Sequence, residues 1–175
     1  KKAQIINIDS REWDDIKEID DMEKDTYPIF AGGTLSFKGS GDRPNYTPNF
    51  FLADKDFLSE TGLSILWNKD GSDDKNVIDV AGNEVTFTGV LAGPGGMTFR
   101  SGGGNASAGE AILAGENTYE GATVVESGTL ALAGLNALNR RSRTTVSGTG
   151  RLDLYNYPVS GTFKIDDLII EDGGV

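Results

Sequence analysis

The sequence resembles itself at a fixed interval, and this restricts the available folds more than any single motif does. Thr123-Val124-Val125-Glu126-Ser127-Gly128 returns as Leu168-Ile169-Ile170-Glu171-Asp172-Gly173, 45 residues later, with Thr144-Thr145-Val146-Ser147-Gly148 between them. The interval therefore splits into two periods of a little over 20 residues. A second pattern accompanies it, a glycine with apolar residues two and four places on. It occurs at Gly33/Leu35/Phe37, Gly95/Met97/Phe99, Gly109/Ala111/Leu113, Gly128/Leu130/Leu132, Gly150/Leu152/Leu154 and Gly161/Phe163/Ile165. Glycine turns the chain where a side chain would clash, and alternation gives an extended segment one apolar face. A unit of about 20 residues cannot bury that face alone, whereas stacked units enclose a continuous interior. The expected fold is all-β, a parallel β-helix or solenoid. Roughly eight coils at about 4.8 Å would make a rod on the order of 40 Å long. A β-sandwich also uses short strands and glycine turns, but its segments need not resemble one another at a fixed interval.

The repeat is regular over 80–175 and weak over 1–79, and composition changes at the same place. Of 24 glycines, 18 follow Val80, whereas 17 of 27 acidic residues fall in the first 79 positions. The N-terminal part reads as irregular, acidic coils of the same β-helix, or as a junction to an upstream domain. Within it, Ile5–Ile8 and Leu63–Trp67 are strand candidates, and residues 10–24 fit either a short helix or a solvated loop. Asp42–Asn49 reads as a loop because two prolines oppose a helix or central strand. Asn68–Asp74 reads as a turn around Asp70-Gly71.

The chain has no cysteine and no histidine, and its formal net charge is -11. Disulfides, thiol nucleophiles and the usual zinc and triad chemistry are thereby removed. An acidic surface disfavours nucleic acid as a partner, since phosphates must be neutralised by cations. No signal peptide is visible at Lys1, and no apolar run approaches the roughly 20 residues of a membrane span.

The stretch Gly115-Glu116-Asn117-Thr118-Tyr119-Glu120-Gly121-Ala122-Thr123-Val124-Val125-Glu126-Ser127-Gly128-Thr129-Leu130-Ala131-Leu132 resembles the passenger-associated strand repeat of bacterial autotransporters. Leu113-Ala114-Gly115 matches its opening, and Val90–Phe99 resembles the strand that commonly precedes it. The resemblance is good over about 40 residues, looser over the last 45 and poor before Val80. It implies a right-handed parallel β-helix in a type V secreted protein of a Gram-negative bacterium. It also implies export through a C-terminal β-barrel translocator outside this chain, and a place on the cell surface or released from it. On this reading the chain is a fragment or excised domain, and its lack of cysteine suits passage through a narrow pore.

Individual candidate residues favour no catalytic site, cofactor or metal. Asp166 and Asp167 are adjacent, so in a strand they would point to opposite faces; Asp153 stands beside Arg151. All three read as solvated charges rather than as a glycan-cleaving carboxylate pair. Asp70, Asp73 and Asp74 fit no calcium-loop spacing, and Gly102-Gly103-Gly104-Asn105 lacks the Lys-Ser/Thr of a phosphate loop. Arg140-Arg141-Ser142-Arg143 is a local basic spot, readable as a glycan contact, a protease-sensitive loop or a solvated turn. Trp13, Tyr46 and Trp67 read as fillers of irregular coils, and Asn117 and Tyr119 as turn and stacking residues. The expected role is a non-catalytic scaffold for adhesion, through a host-cell surface protein or glycan, or for self-association. The alternatives are a stalk carrying an upstream serine protease and a polysaccharide-cleaving β-helix.

Overall fold

A computed structural model of the chain describes residues 11–12, 29–37, 43–46, 49–61, 75–102, 109–154 and 164–175. The strand candidates at 5–8 and 63–67 and the turn at 68–74 lie outside them. Every strand pairing among the described residues is parallel.

The strands form three sides. The first side stacks β1 (Arg11–Glu12), β3 (Gly33–Ser36), β6 (Asn76–Asp79), β9 (Met97–Arg100), the first halves of β11 (Thr123–Leu132) and β12 (Thr144–Asp153), and β13 (Leu168–Ile170). The second side stacks β4 (Arg43–Tyr46), β7 (Glu84–Phe87), β10 (Glu110–Leu113) and the second halves of β11 and β12. The third side stacks β2 (Ile29–Phe30), β5 (Phe50–Leu52) and β8 (Leu91–Ala92). The chain visits the sides in turn and returns one level further along, which makes a parallel β-helix of about five stacked coils.

Among the described residues the coils differ in length, and one is long. Gly33 pairs with Asn76, a step of 43 residues. The later steps on the same side are shorter, for example 21 from Val77 to Thr98 and 24 from Thr144 to Leu168. The long coil holds α1 (Lys55–Glu60), the one helix among the described residues. Asp54 caps it by accepting from the Phe57 N–H at 2.8 Å. Leu58 packs with Ala31 and Ala53 in a small cluster apart from the main core.

Two local expectations are corrected. Arg11–Glu12 is a strand paired with Leu35 and Ser36, neither helix nor loop, because β3 offers it backbone partners; residues 10 and 13–24 lie outside the described residues. Arg43–Tyr46 is a strand rather than a loop. Among the described residues it pairs only with β7, and its register shifts between Arg43 and Tyr46. An edge strand tolerates the missing N–H of Pro44.

The register reproduces the sequence repeat. Thr123 pairs with Thr144, which pairs with Leu168, and Val125, Val146 and Ile170 follow them. Inward residues form continuous columns: Leu35, Ile78, Phe99, Val125 and Val146 on the first side, and Phe87, Leu113 and Leu132 on the second. On the third side Phe30 meets Leu52, and Phe50 meets Leu91. The first-side columns end in exposed Leu168 and Ile170. β11 and β12 bend from the first side to the second through a register shift between Val125 and Ser127. Gly128 and Gly148, with φ of 72° and 59°, occupy conformations that disfavour a side chain there.

Corners hold the coils at one spacing. A Cβ on Gly121 would overlap the backbone of Gly95 and Gly96 in the neighbouring coil. Asn117 is buried and ties three coils: its Oδ1 accepts from Leu91 N at 2.8 Å, and its Nδ2 donates to Ala137 O at 2.7 Å. Asn76 does the same at another corner, accepting from Gly32 N and donating to the carbonyls of Ala53 and Gly96.

Gly121→Ala is expected to lower unfolding free energy by about 1–3 kcal/mol, the usual cost of overpacking. Gly134→Ala, whose Cβ would meet Ala114 O at an ordinary 3.6 Å, is the control and should stay within about 0.5 kcal/mol of the parent. Asn117→Ala orphans a buried N–H and a buried carbonyl, each worth about 1–3 kcal/mol. Urea unfolding followed by circular dichroism measures all three.

Candidate functional site

On the third side, the segments 116–120 and 135–140 cross between strands without pairing as strands themselves. With Lys164 they bound an open cleft of about 600 Å³ that crosses successive coils. Its floor is Asn117, Leu138 and Asn139; its rim is Glu116, Thr118, Leu135, Asn136, Arg140 and Lys164.

Coil-to-coil hydrogen bonds fix the floor. Asn117 N donates to Asn136 O at 2.8 Å, in addition to the two side-chain ties of Asn117. Asn139 Nδ2 donates to Tyr119 O at 2.8 Å, and Asn139 Oδ1 accepts from Arg141 N at 3.2 Å. Asp166 N donates to Arg140 O at 3.1 Å, which anchors the backbone of a rim cation. Behind the floor, Tyr119 is fully buried and its hydroxyl shares a hydrogen bond with Thr123 Oγ1. Burial pushes the phenol up to about 12, against the opposing effect of that bond, so it moves no proton near neutrality. Asn117 and Tyr119 are thus structural, as their place in the repeat suggests.

The rim is charged and amphipathic. Arg140 and Lys164, and Arg141 beside them, carry no ion pair among the described residues. Other cations are engaged: Lys75 with Glu126 at 2.8 Å, Arg143 with Asp167 at 2.7 Å, Arg100 with Asp79 at 3.5 Å and Arg151 with Asp153 at 3.7 Å. Leu135 is 45% exposed, beside Asn136.

The basic run at 140–143 is therefore not one surface. Ser142 is buried and donates to Gly121 O, Arg143 is paired, and only Arg140 reaches the cleft. Asp167 and Asp153 face cations rather than each other, and Asp166 is exposed. Gly102 N donates to Asp79 Oδ1 at 2.7 Å, so the start of the glycine run closes against a neighbouring coil. Residues 103–105, the Asp70/Asp73/Asp74 group, Trp13, Trp67 and the Tyr46 side chain lie outside the described residues. Among the described residues, no group of three acidic side chains is placed to hold a metal ion.

Stacking also creates a carboxylate pair that sequence reading misses. Glu84 and Glu110 occupy the same register position on neighbouring coils, followed by Thr129 and Arg151. Glu110 is pushed above the ordinary carboxylate range, first by burial and then by Glu84 and Asp153, while Arg151 opposes this. Glu116, Leu135, Asn136 and Lys164 were likewise not singled out; the repeat interval applied to the inter-strand segments would have brought them to one side.

No family model, curated protein or solved structure matches the chain.

Glu110 has a folded pKa above its unfolded one, so its charge costs stability as pH rises through the folded value. Glu110→Gln is expected to stabilise the protein near neutrality by about 0.2–1 kcal/mol, the scale of a like-charge cross-strand pair. The gain should vanish below the ordinary carboxylate range. Thermal melts of parent and variant across acidic and neutral pH check both the sign and the window.

Proposed function

We propose that the chain is a non-catalytic binding scaffold, a β-helical segment of an autotransporter-type passenger that serves adhesion or self-association at a Gram-negative cell surface. The observation that carries this reading is the repetition of one outward position from coil to coil. Thr34, Val77, Thr98, Val124, Thr145 and Ile169 occupy equivalent places on the first side, one per coil. All six are β-branched; Thr34, Val77 and Thr98 are buried, whereas Val124, Thr145 and Ile169 are half-buried and accessible to a partner. The three accessible groups, at about 4.8 Å spacing, suit weak contacts that add from coil to coil.

The charged groups are consistent with a scaffold. Asp167 and Asp153 are engaged by arginines, which leaves them poorly suited to glycan cleavage. The sequence resemblance at 115–132 supports secretion and surface display.

Display of the chain on a non-adherent Gram-negative strain tests the reading. Clumping, or binding to cultured epithelial cells, is expected to rise over a strain displaying an unrelated solenoid. Val124→Lys with Thr145→Lys should cut that gain at least tenfold if the first side makes the contacts. Parent display with neither clumping nor cell binding would overturn the assignment.

A further inference from the structure

We infer that the third-side cleft binds a saccharide unit bearing a carboxylate. The inference rests on the adhesive reading and adds to the first-side column a second contact surface, on the third side.

The placement of cations is the first argument. The chain carries a net charge of -11, yet Arg140 and Lys164 face one concave surface with no ion pair among the described residues. The other described pairs spend their cations on neighbouring carboxylates. Arginine holds a carboxylate through two parallel hydrogen bonds, and lysine adds a second positive point.

The floor supplies the second argument. Asn117 and Asn139 spend their amides on the backbone of adjacent coils, so the surface beneath a ligand is already ordered. A preformed site avoids much of the ordering cost of binding. At about 600 Å³ the cleft falls in the size range of small-ligand sites.

The remaining rim groups decide between a sugar and other anions. Leu135 offers exposed aliphatic surface to the C–H face of a sugar ring. Thr118 and Asn136 offer donors and acceptors for hydroxyls, and Glu116 offers an acceptor alone. A sugar hydroxyl donates to Glu116, whereas a densely charged polyanion or an acidic peptide would set a second negative charge against it. One carboxylate per unit, surrounded by hydroxyls, matches this rim.

The test is calorimetric titration of the whole chain with three probes: a hexuronate oligosaccharide, its carboxyl-reduced counterpart, and an oligoglutamate of equal charge. Binding of the first alone is expected. Arg140→Gln and Lys164→Gln should each weaken it about tenfold, as expected for loss of a charged hydrogen bond. Leu135→Asp should weaken it at least as much. Arg151→Gln, which lies outside the cleft, should leave it unchanged, and thermal melts confirm that each variant folds. Equal binding of the reduced sugar or of oligoglutamate would overturn the inference, as would no binding of any probe. Hexuronate binding that persists in Arg140→Gln with Lys164→Gln would sink the cleft and leave the scaffold reading standing. Hexuronate binding without adhesion by displayed cells would do the reverse.

Discussion

The coils lie one on another at a single strand spacing on all three sides, and the rest of the molecule answers to that distance. Backbone hydrogen bonds set it along the strands. At the corners it leaves no room for a Cβ, as at Gly121 against Gly95 and Gly96. It also leaves backbone groups that no strand partner can reach. Asparagine meets that need because one short side chain carries both a donor and an acceptor. Asn117 and Asn76 each accept from one coil and donate to another. Aspartate at Asn117 would keep the acceptor, lose the donor and bury a charge.

How much of this was legible depended on where periodicity could speak. The pairing of Thr123 with Thr144 and Leu168 could be read directly, because those coils differ by only a few residues in length. The glycine-led pattern was more ambiguous. Gly33 and Gly95 introduce residues of the first side, whereas Gly109, Gly128 and Gly150 introduce residues of the second. Alternation reports that a segment is half-buried, not which side it builds. The period is hidden in the N-terminal part because the 43-residue step between Gly33 and Asn76 carries α1. The cleft was illegible for a related reason: its segments are turns, with no alternation, and only the register brings Glu116, Asn136 and Lys164 to one side.

Stacking in register has an electrostatic consequence. Any outward position is repeated at the next coil, so a chain with 27 acidic residues is pressed toward placing like charges face to face. Glu84 and Glu110 are the case where that happens, and the raised pKa of Glu110 is its trace. Elsewhere the columns are relieved by cations from other coils, as Lys75 meets Glu126 and Arg143 meets Asp167. These pairs are exposed and add little stability individually. What they do is consume positive charge, and this gives weight to the cations at the cleft that are not consumed.

The cleft and the fold then share their parts. Asn117 holds Leu91 to Ala137 and also forms the cleft floor, so the site cannot loosen without loosening the coil stack. The rim is different: Leu135, Asn136, Arg140 and Lys164 are exposed and, among the described residues, carry none of the side-chain ties between coils. On the proposed reading, substitutions at the rim would alter recognition at little cost to folding, while substitutions at the floor would alter both. A solenoid of this kind can change its ligand by exchanging turn residues on one side while the interior columns stay fixed. On the proposed reading, the ligand chemistry of the cleft would rest on turn segments, while the rigidity of the scaffold rests on the repeated strands.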